Sequence, residues 1–167
     1  LVASLVLPAA LYAGEISHLH GSQQLSLLRR GVMRTCWGIK LARRCTEVVL
    51  TLFACGHLCD PVQLVTFRSL STMQRVLTHC LPERRLVSEL FSVYRRGGTL
   101  RNGPAAVAFR AFASIQWACD SDFVVTKSCG TSLTLFLCAS SLWHHTIREA
   151  LRFREWGRAA VRRPELC

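Results

Sequence analysis

"FACGHLCDPVQ", spanning Phe53 to Gln63, joins two cysteines and a histidine to an Asp-Pro pair. Asp60 can accept hydrogen bonds from the free N–H groups at a helix start, and Pro61 suits the first helical position. Gly56 is of the residue type that commonly closes a helix. We therefore predict that one helix ends at Gly56 and that another begins at Pro61 and runs to about His79.

The same segment raises the question of a zinc site, because Cys55, His57 and Cys59 are residue types that bind structural zinc. Such sites use four ligands, commonly in two pairs with roughly two to four residues between the members of each pair. Here the three residues alternate with single-residue gaps, and the candidates for a second pair, His79 and Cys80, are adjacent. The spacing favours a helix boundary with small buried thiols, and we predict no metal ligands.

Other polar clusters also lack the partners that catalysis requires. Asp120 and Asp122 are a carboxylate pair of the kind that polymerases and nucleases use to bind metal, but acids between a helix and a strand are more often turn formers. No local signature supports a Ser/His/Asp or Cys/His catalytic set. Two histidine pairs have no matching acids or cysteines and are predicted to be exposed or interfacial: His18 with His20, and His144 with His145.

The charge balance points to an anionic partner. Lysine and arginine total 21 against 10 acidic residues, which gives a formal net charge of +11, and all but two of the basic residues are arginine. Arginine binds phosphate through a planar fork, so this composition favours a nucleic-acid backbone. A GC-rich genome that encodes arginine in preference to lysine explains the same bias, and both interpretations stay open.

Cysteine use and hydropathy bear on the compartment. The nine cysteines are scattered, an odd number without the regular spacing of a disulfide scaffold, so we predict free thiols in a reducing compartment. The apolar start, "LVASLVLPAALYA", is well short of the ~20 residues that a membrane span needs. We expect an intracellular protein of the nucleus or cytoplasm that is not secreted and has no membrane partner.

"GSQQLSLLRRGVMRTCWG", which ends at Gly38, predicts an amphipathic helix. Ser22 can cap its start and Gly38 can close its end. Arg30 and Arg34 lie on a basic outer face, opposite an apolar stripe with spacings of three and four residues: Leu25, Leu28, Val32 and Cys36.

The remaining pattern predicts a mainly α fold. Further helices begin at Pro82 and Pro104, and "RRGGTLRNGP" between them reads as a linker. Two β-prone runs around Gly130 predict a β-hairpin near Phe123 to Leu137. We predict a helical module at residues 1–96, a linker at 97–104 and a small α+β module at 105–167. The last helix should bury one face, opposite Arg148 and Arg152: Trp143, Ile147, Ala150, Phe153 and Val161.

"LVLPAALYAGEISHL" and "QLSLLRRGVMRTCWG" together resemble the segment just after the palm of LINE-type (non-LTR) retrotransposon reverse transcriptases. The positions that carry this resemblance are Pro8, Tyr12 and Glu15, then Leu25, Leu28, Arg29 and Arg30, then Cys36, Trp37 and Gly38. The segment "RRCTEVVLTLFACGHLCDPVQ" is similar to a run in protist versions of these elements, through Glu47, Gly56, His57, Asp60 and Pro61. "GPAAVAFRAFASIQWACDSDFVV" and "LWHHTIREALRFREW" are similar to regions further downstream in the same proteins.

The resemblance implies a thumb-like helical bundle at residues 1–96 and an RNA-directed DNA polymerase as the parent protein. Such polymerases use Mg²⁺ held by a Tyr/Phe-x-Asp-Asp motif in the palm, and this sequence has no such motif. We therefore expect a fragment without palm, catalytic residues or cofactor of its own, which leans against enzymatic activity.

What the thumb would retain is binding to the backbone of an RNA/DNA template-primer duplex, next to the missing palm and fingers of the same polyprotein. The residues predicted to bind nucleic acid are Arg29, Arg30, Arg34, Lys40, Arg43 and Arg44. The alternatives are an inactive or mispredicted open reading frame and a helical protein-interaction module whose apolar faces bind a partner.

Overall fold

The computed structural model describes residues 23–38, 45–53, 55–95 and 103–162, and most of these lie in helices. The order of elements begins with α1 (Gln23–Trp37), α2 (Thr46–Val48), a π-helical turn (Val49–Phe53), α3 (Gly56–Cys59), α4 (Pro61–His79) and α5 (Leu81–Arg95). It continues with α6 (Pro104–Ser114), β1 (Ala118–Cys119), β2 (Val124–Thr126), β3 (Ser132–Thr134) and α7 (Ser140–Arg162). The predicted mainly α fold with a small α+β part is confirmed.

The predicted start of α4 and the predicted end of α1 both have the expected chemistry. Asp60 accepts a hydrogen bond from the backbone N–H of Val62 at 3.0 Å, and Pro61 occupies the first turn of α4. Gly38 has a φ of 76° and donates its N–H to the carbonyl of Arg34 at 2.8 Å, which closes α1. The predicted cap Ser22 lies outside the described residues.

Gly56 has a different role from the one predicted. Cys55, not Gly56, takes the left-handed conformation, with a φ of 49°, and Gly56 begins the short helix α3. A Cβ atom on Gly56 would lie 2.5 Å from both terminal atoms of the Gln63 side chain. Glycine at this position leaves room for the buried Gln63 side chain, a close contact that the sequence pattern does not reveal.

The larger core surrounds α4. Leu70, Met73 and Leu77 of α4 are buried against residues of α5, α6, the sheet and α7. Trp143 of α7 is fully buried and donates its indole N–H to the carbonyl of Leu70 at 3.1 Å. A smaller core joins α1 to the start of α4: Leu25, Val32, Met33, Leu50, Leu64 and Val65. The main core thus takes residues from both sides of the segment predicted to be a linker.

The predicted β-hairpin is confirmed and gains a third strand. β2 pairs with β3 in antiparallel register, and Gly130 in the turn has a φ of 82°. β1 pairs antiparallel with β2 on the other side. Asp120 accepts hydrogen bonds from the backbone N–H groups of Asp122 at 3.0 Å and Val124 at 2.8 Å. Asp120 therefore shapes the turn that leads into β2.

The buried face of α7 differs from the prediction in its second half. Trp143 and Ile147 are buried and Ala150 is half-buried, but Phe153 is 76% exposed and Val161 86% exposed. Apart from Thr146, the buried residues recur at every fourth position: Trp143, Ile147, Leu151, Glu155 and Ala159. Four residues turn a helix by about 400°, so this face rotates by about 40° at each step. It rotates because α7 packs first against α4 and then against α2.

Within the described ranges, no helix is both long and apolar enough to cross a membrane.

Substituting Gly56 with alanine should destabilise the protein by about 1–3 kcal/mol, because the new methyl group displaces Gln63. The Gln63 amide is buried and donates hydrogen bonds to Thr51 Oγ1 at 3.1 Å and Asp60 Oδ2 at 3.3 Å, and its movement breaks both. Urea denaturation measures the loss. The matched control is Gly31→Ala on the exposed face of α1, where an added Cβ meets no atom within 4 Å. The control should gain about 0.5–1 kcal/mol of helix propensity; equal effects of both substitutions would contradict the assigned role of Gly56.

Candidate nucleic-acid interface

Arg29 of α1 lies at the centre of a buried ionic network. Its Nη2 atom is 2.6 Å from Asp60 Oδ2 and 2.8 Å from Glu155 Oε2, and its Nη1 atom is 3.6 Å from Glu47 Oε1. The three carboxylates are almost completely buried, and the Arg29 side chain is only 13% exposed. Buried charges need such partners, because an unpaired charge in the interior is very costly.

Three further arginines from α7 complete the network. Arg154 Nε and Arg158 Nη1 lie 3.0 Å and 2.9 Å from Glu155 Oε1. Arg162 Nη1 lies 2.7 Å from Glu47 Oε1. The end of the last helix is thereby joined to α2, the start of α4 and the first described helix.

The pKa values of two buried carboxyl groups, Asp60 and Glu155, shift in opposite directions. Burial raises the pKa of Asp60, and the charge of Arg29 offsets this only in part because Glu155 adds a repulsive charge. Burial alone would also raise the pKa of Glu155, but the charges of Arg154, Arg29 and Arg158 outweigh it and hold that pKa below its ordinary value. The number of adjacent guanidinium groups decides the difference.

The six predicted nucleic-acid-binding residues do not share one environment. Arg29 points into the ionic network, so its guanidinium belongs to the interior rather than to a basic outer face. Arg30 and Arg34 are exposed on α1, four residues apart. Lys40, Arg43 and Arg44 lie outside the described residues. The binding role of these positions stays a prediction, which Arg30 and Arg34 support by exposure.

The arrangement of charges makes the outer surface more basic than the composition alone suggests. Three acidic side chains, Glu47, Asp60 and Glu155, are sequestered in the network. The exposed arginines are distributed over several helices: Arg30, Arg34, Arg75, Arg85, Arg152, Arg158 and Arg162. A surface of this kind can attract a polyanion without reading its sequence.

The histidine beside the Asp-Pro pair lies in a row of three ring side chains. The ring of His57 lies 5.4 Å from that of Phe67, which in turn lies 5.3 Å from the ring of His144. Burial lowers the pKa of His57, and the charges of Arg148 and Arg152 lower it further. Across the part of the chain that the structure describes, no group of three histidine, cysteine or acidic residues is arranged to hold a metal ion.

A cleft beside the second half of α7 is not predicted from the sequence. Residues 152–158, "RFREWGR", place Phe153 and Trp156 on the exposed side of α7 beside a cleft, while Glu155 faces the network. The alternation of aromatic and basic residues is the signal in the sequence that indicates this cleft. The apolar periodicity of α7 predicts that Phe153 lies in the core, so this periodicity does not indicate the cleft.

Comparisons with known proteins return no match: no protein-family model, no curated protein and no solved structure is significantly similar to this chain. The resemblance to retrotransposon reverse transcriptases therefore rests on the quoted sequence patterns.

Replacing Arg29 with methionine should destabilise the protein by about 3–5 kcal/mol, because three buried carboxylates lose their shared partner. The matched control is Arg30→Met, the adjacent exposed position on the same helix, where a change within about 0.5 kcal/mol is expected. Urea denaturation near neutral pH measures both. Equal stability of the two variants would contradict the central position of Arg29.

Glu155→Gln should reveal the pH dependence of the network. Because the pKa of Glu155 is lowered in the folded state, its ionised form stabilises the protein above the unfolded pKa of about 4.3, and this stabilisation is lost as the pH falls through the folded pKa. The difference in unfolding free energy between the native chain and the variant should therefore be largest near neutral pH and should shrink in acid. The charge of Glu155 also contributes to the raised pKa of Asp60, so the variant removes that repulsion as well. A difference that grows on acidification would contradict the assignment.

Proposed function

We propose that this chain binds the phosphate backbone of a nucleic-acid duplex without sequence preference, as the thumb and downstream region of a LINE-type retrotransposon reverse transcriptase. Its role is to hold an RNA/DNA template-primer duplex beside a palm that other parts of the same polyprotein supply. Polymerisation itself, with its Mg²⁺ ions, belongs to that palm.

The observation that carries the proposal is the exposed pair Arg30 and Arg34. Four residues advance a helix by about 6 Å and just over one turn, so the two guanidinium groups project from the same side of α1. The opposite side packs into the smaller core through Leu25, Val32 and Met33. The pair is thus available to successive phosphates while the helix is held from behind.

The ionic network supports this geometry. Arg29 immediately precedes Arg30 and is held by carboxylates from three other segments. Rotation of α1 about its axis would break these contacts, so the outward direction of Arg30 and Arg34 is fixed before any ligand binds. A fixed basic face loses less conformational entropy on binding than flexible side chains on a mobile segment.

A protein-interaction module is the second candidate, and exposed apolar residues on α5 favour it. Leu86 is 58% exposed and Val93 51% exposed. Seven residues separate them, so they lie on one side of the helix. The missing palm and fingers are the partner that the proposed parent protein offers such a face.

The affinity for a short RNA/DNA hybrid should fall steeply between about 50 and 200 mM salt, because binding releases counterions from the phosphates. Reversing both charges, Arg30→Glu with Arg34→Glu, should weaken binding equally for unrelated sequences and reduce the slope of log affinity against log salt by about 2. Fluorescence anisotropy with a labelled hybrid measures both quantities.

The matched control carries the same change in net charge elsewhere: Arg75→Glu on α4 with Arg85→Glu on α5, both exposed. Smaller losses in the control locate the binding face on α1. Equal losses in the two double variants would contradict that location, and an affinity that does not depend on salt would favour the protein-interaction module.

A further inference from the structure

A cleft of about 920 Å³ lies between the end of α6, the turn of the β-hairpin and the second half of α7. We call it the hairpin cleft; its walls are residues 114–117, residues 127–129 and one side of α7 from Thr146 to Arg162. Its size is in the range of clefts that hold small molecules, roughly 300–1,000 Å³. It has room for a few unpaired nucleotides.

Two aromatic side chains on α7 line the hairpin cleft without belonging to either core. Phe153 is 76% exposed and Trp156 is 41% exposed. Their three-residue spacing places them next to each other on the helix surface. Aromatic rings presented in this way can stack on the bases of a single strand whatever its sequence.

The charged residues of the hairpin cleft are predominantly basic. Glu149 is the one acidic residue in its described lining, against five basic residues: Lys127, Arg152, Arg154, Arg158 and Arg162. Arg158 and Arg162 remain 46% and 66% exposed although each also contacts a buried carboxylate. An apolar, aromatic surface with a basic rim is complementary to a ligand that joins flat rings to negative charges.

Arg154 lines this wall and is held in place by two hydrogen bonds. Its Nε and Nη1 atoms donate to Glu155 Oε1 and Ser114 Oγ, each at 3.0 Å. Its buried Nη2 atom has no hydrogen-bond partner among the residues that the structure describes. The arginines of this wall that are exposed are Arg152, Arg158 and Arg162.

We propose that the hairpin cleft binds an unpaired polynucleotide strand, with bases stacked on Phe153 and Trp156 and phosphates held by Lys127, Arg152 and Arg158. The inference rests on the proposed function and deepens it: α1 would hold the paired part of a nucleic acid and the hairpin cleft its single-stranded extension. The base-stacking surface and the Arg30–Arg34 face are on different helices, so each can be altered alone.

The test compares two single strands of about twelve nucleotides, a thymidine homopolymer and an abasic strand with the same number of phosphates. Stacking requires bases, so the native chain should prefer the thymidine strand. Phe153→Ala should reduce the affinity for that strand by about 5- to 10-fold and leave the abasic strand unaffected. The matched control is Leu142→Ala, an exposed apolar residue of the same helix that does not line the cleft and should change neither affinity. Circular dichroism establishes that both variants are folded.

Equal affinities of the native chain for the two strands, or equal behaviour of the Phe153 and Leu142 variants, would overturn the proposal. Binding of the RNA/DNA hybrid distinguishes a failure of the hairpin cleft proposal from a failure of the proposed function. If hybrid binding depends on Arg30 and Arg34 but base preference is absent, only the hairpin cleft proposal fails. If the Phe153-dependent preference persists while hybrid binding is absent, only the duplex proposal fails.

Alkylation of cysteine gives a second measurement that needs no substitution. Cys129 is exposed at the cleft wall, and its hydrogen bond with the Thr131 hydroxyl lowers the pKa of the thiol. N-ethylmaleimide should label it rapidly, and the thymidine strand should slow this labelling severalfold. Cys55 is exposed outside the cleft and serves as the internal reference, read by peptide mass spectrometry. Two results would overturn the proposal. Cys129 could be unreactive in the free protein because another segment covers the cleft. Alternatively, Cys129 could be labelled at the same rate when the thymidine strand is saturating.

Discussion

The contact of Arg29 with Asp60, Glu155 and Glu47 is the constraint on which the rest of the structure depends. One guanidinium group joins the first described helix to α2, to the start of α4 and to the last helix. Asp60 has two functions in this arrangement, because one carboxylate oxygen caps α4 while the other binds Arg29. The start of the central helix and the position of α1 are therefore set by the same side chain.

This arrangement relates stability to the proposed binding surfaces. On α7, Glu155 faces inward to the network while Phe153 and Trp156, two positions before and one after it, face the hairpin cleft. On α1, Arg29 faces inward while Arg30 faces solvent. Because successive helical residues point about 100° apart, a residue fixed in the interior determines where its neighbours project. The network thus orients both candidate interfaces, and its member Arg158 also lines the hairpin cleft.

Local signals were sufficient for most of the fold. The Asp60–Pro61 pair specifies a helix start through its own backbone chemistry, and Gly130 specifies a turn through its conformational freedom, so both were predictable. The role of Gly56 is not predictable from local sequence, because the close contact comes from Gln63, which reaches Gly56 only after α3 and α4 are folded. Arg29 and Arg30 are adjacent residues of the same type. Arg29 is in the interior because it binds carboxylates of distant segments, whereas Arg30 is exposed, and the local sequence does not contain this difference. A fixed period of 3.6 residues places Phe153 in the core. The buried face of α7 instead rotates along the helix, because its packing partner changes from α4 to α2. The hairpin cleft was missed for the same reason.

The separation of the network's members along the chain also affects synthesis of the protein. Arg29 and Glu155 are 126 residues apart. At a translation rate of roughly 5–20 residues per second, a ribosome needs about 6–25 s to make the segment between them. During that interval Asp60 and Glu47 have emerged, but the helix that carries Glu155 and Trp143 has not, so the inner faces of α1 and α4 lack their final cover. The nascent chain therefore exposes apolar surface for seconds, a period in which binding by a chaperone would compete with aggregation.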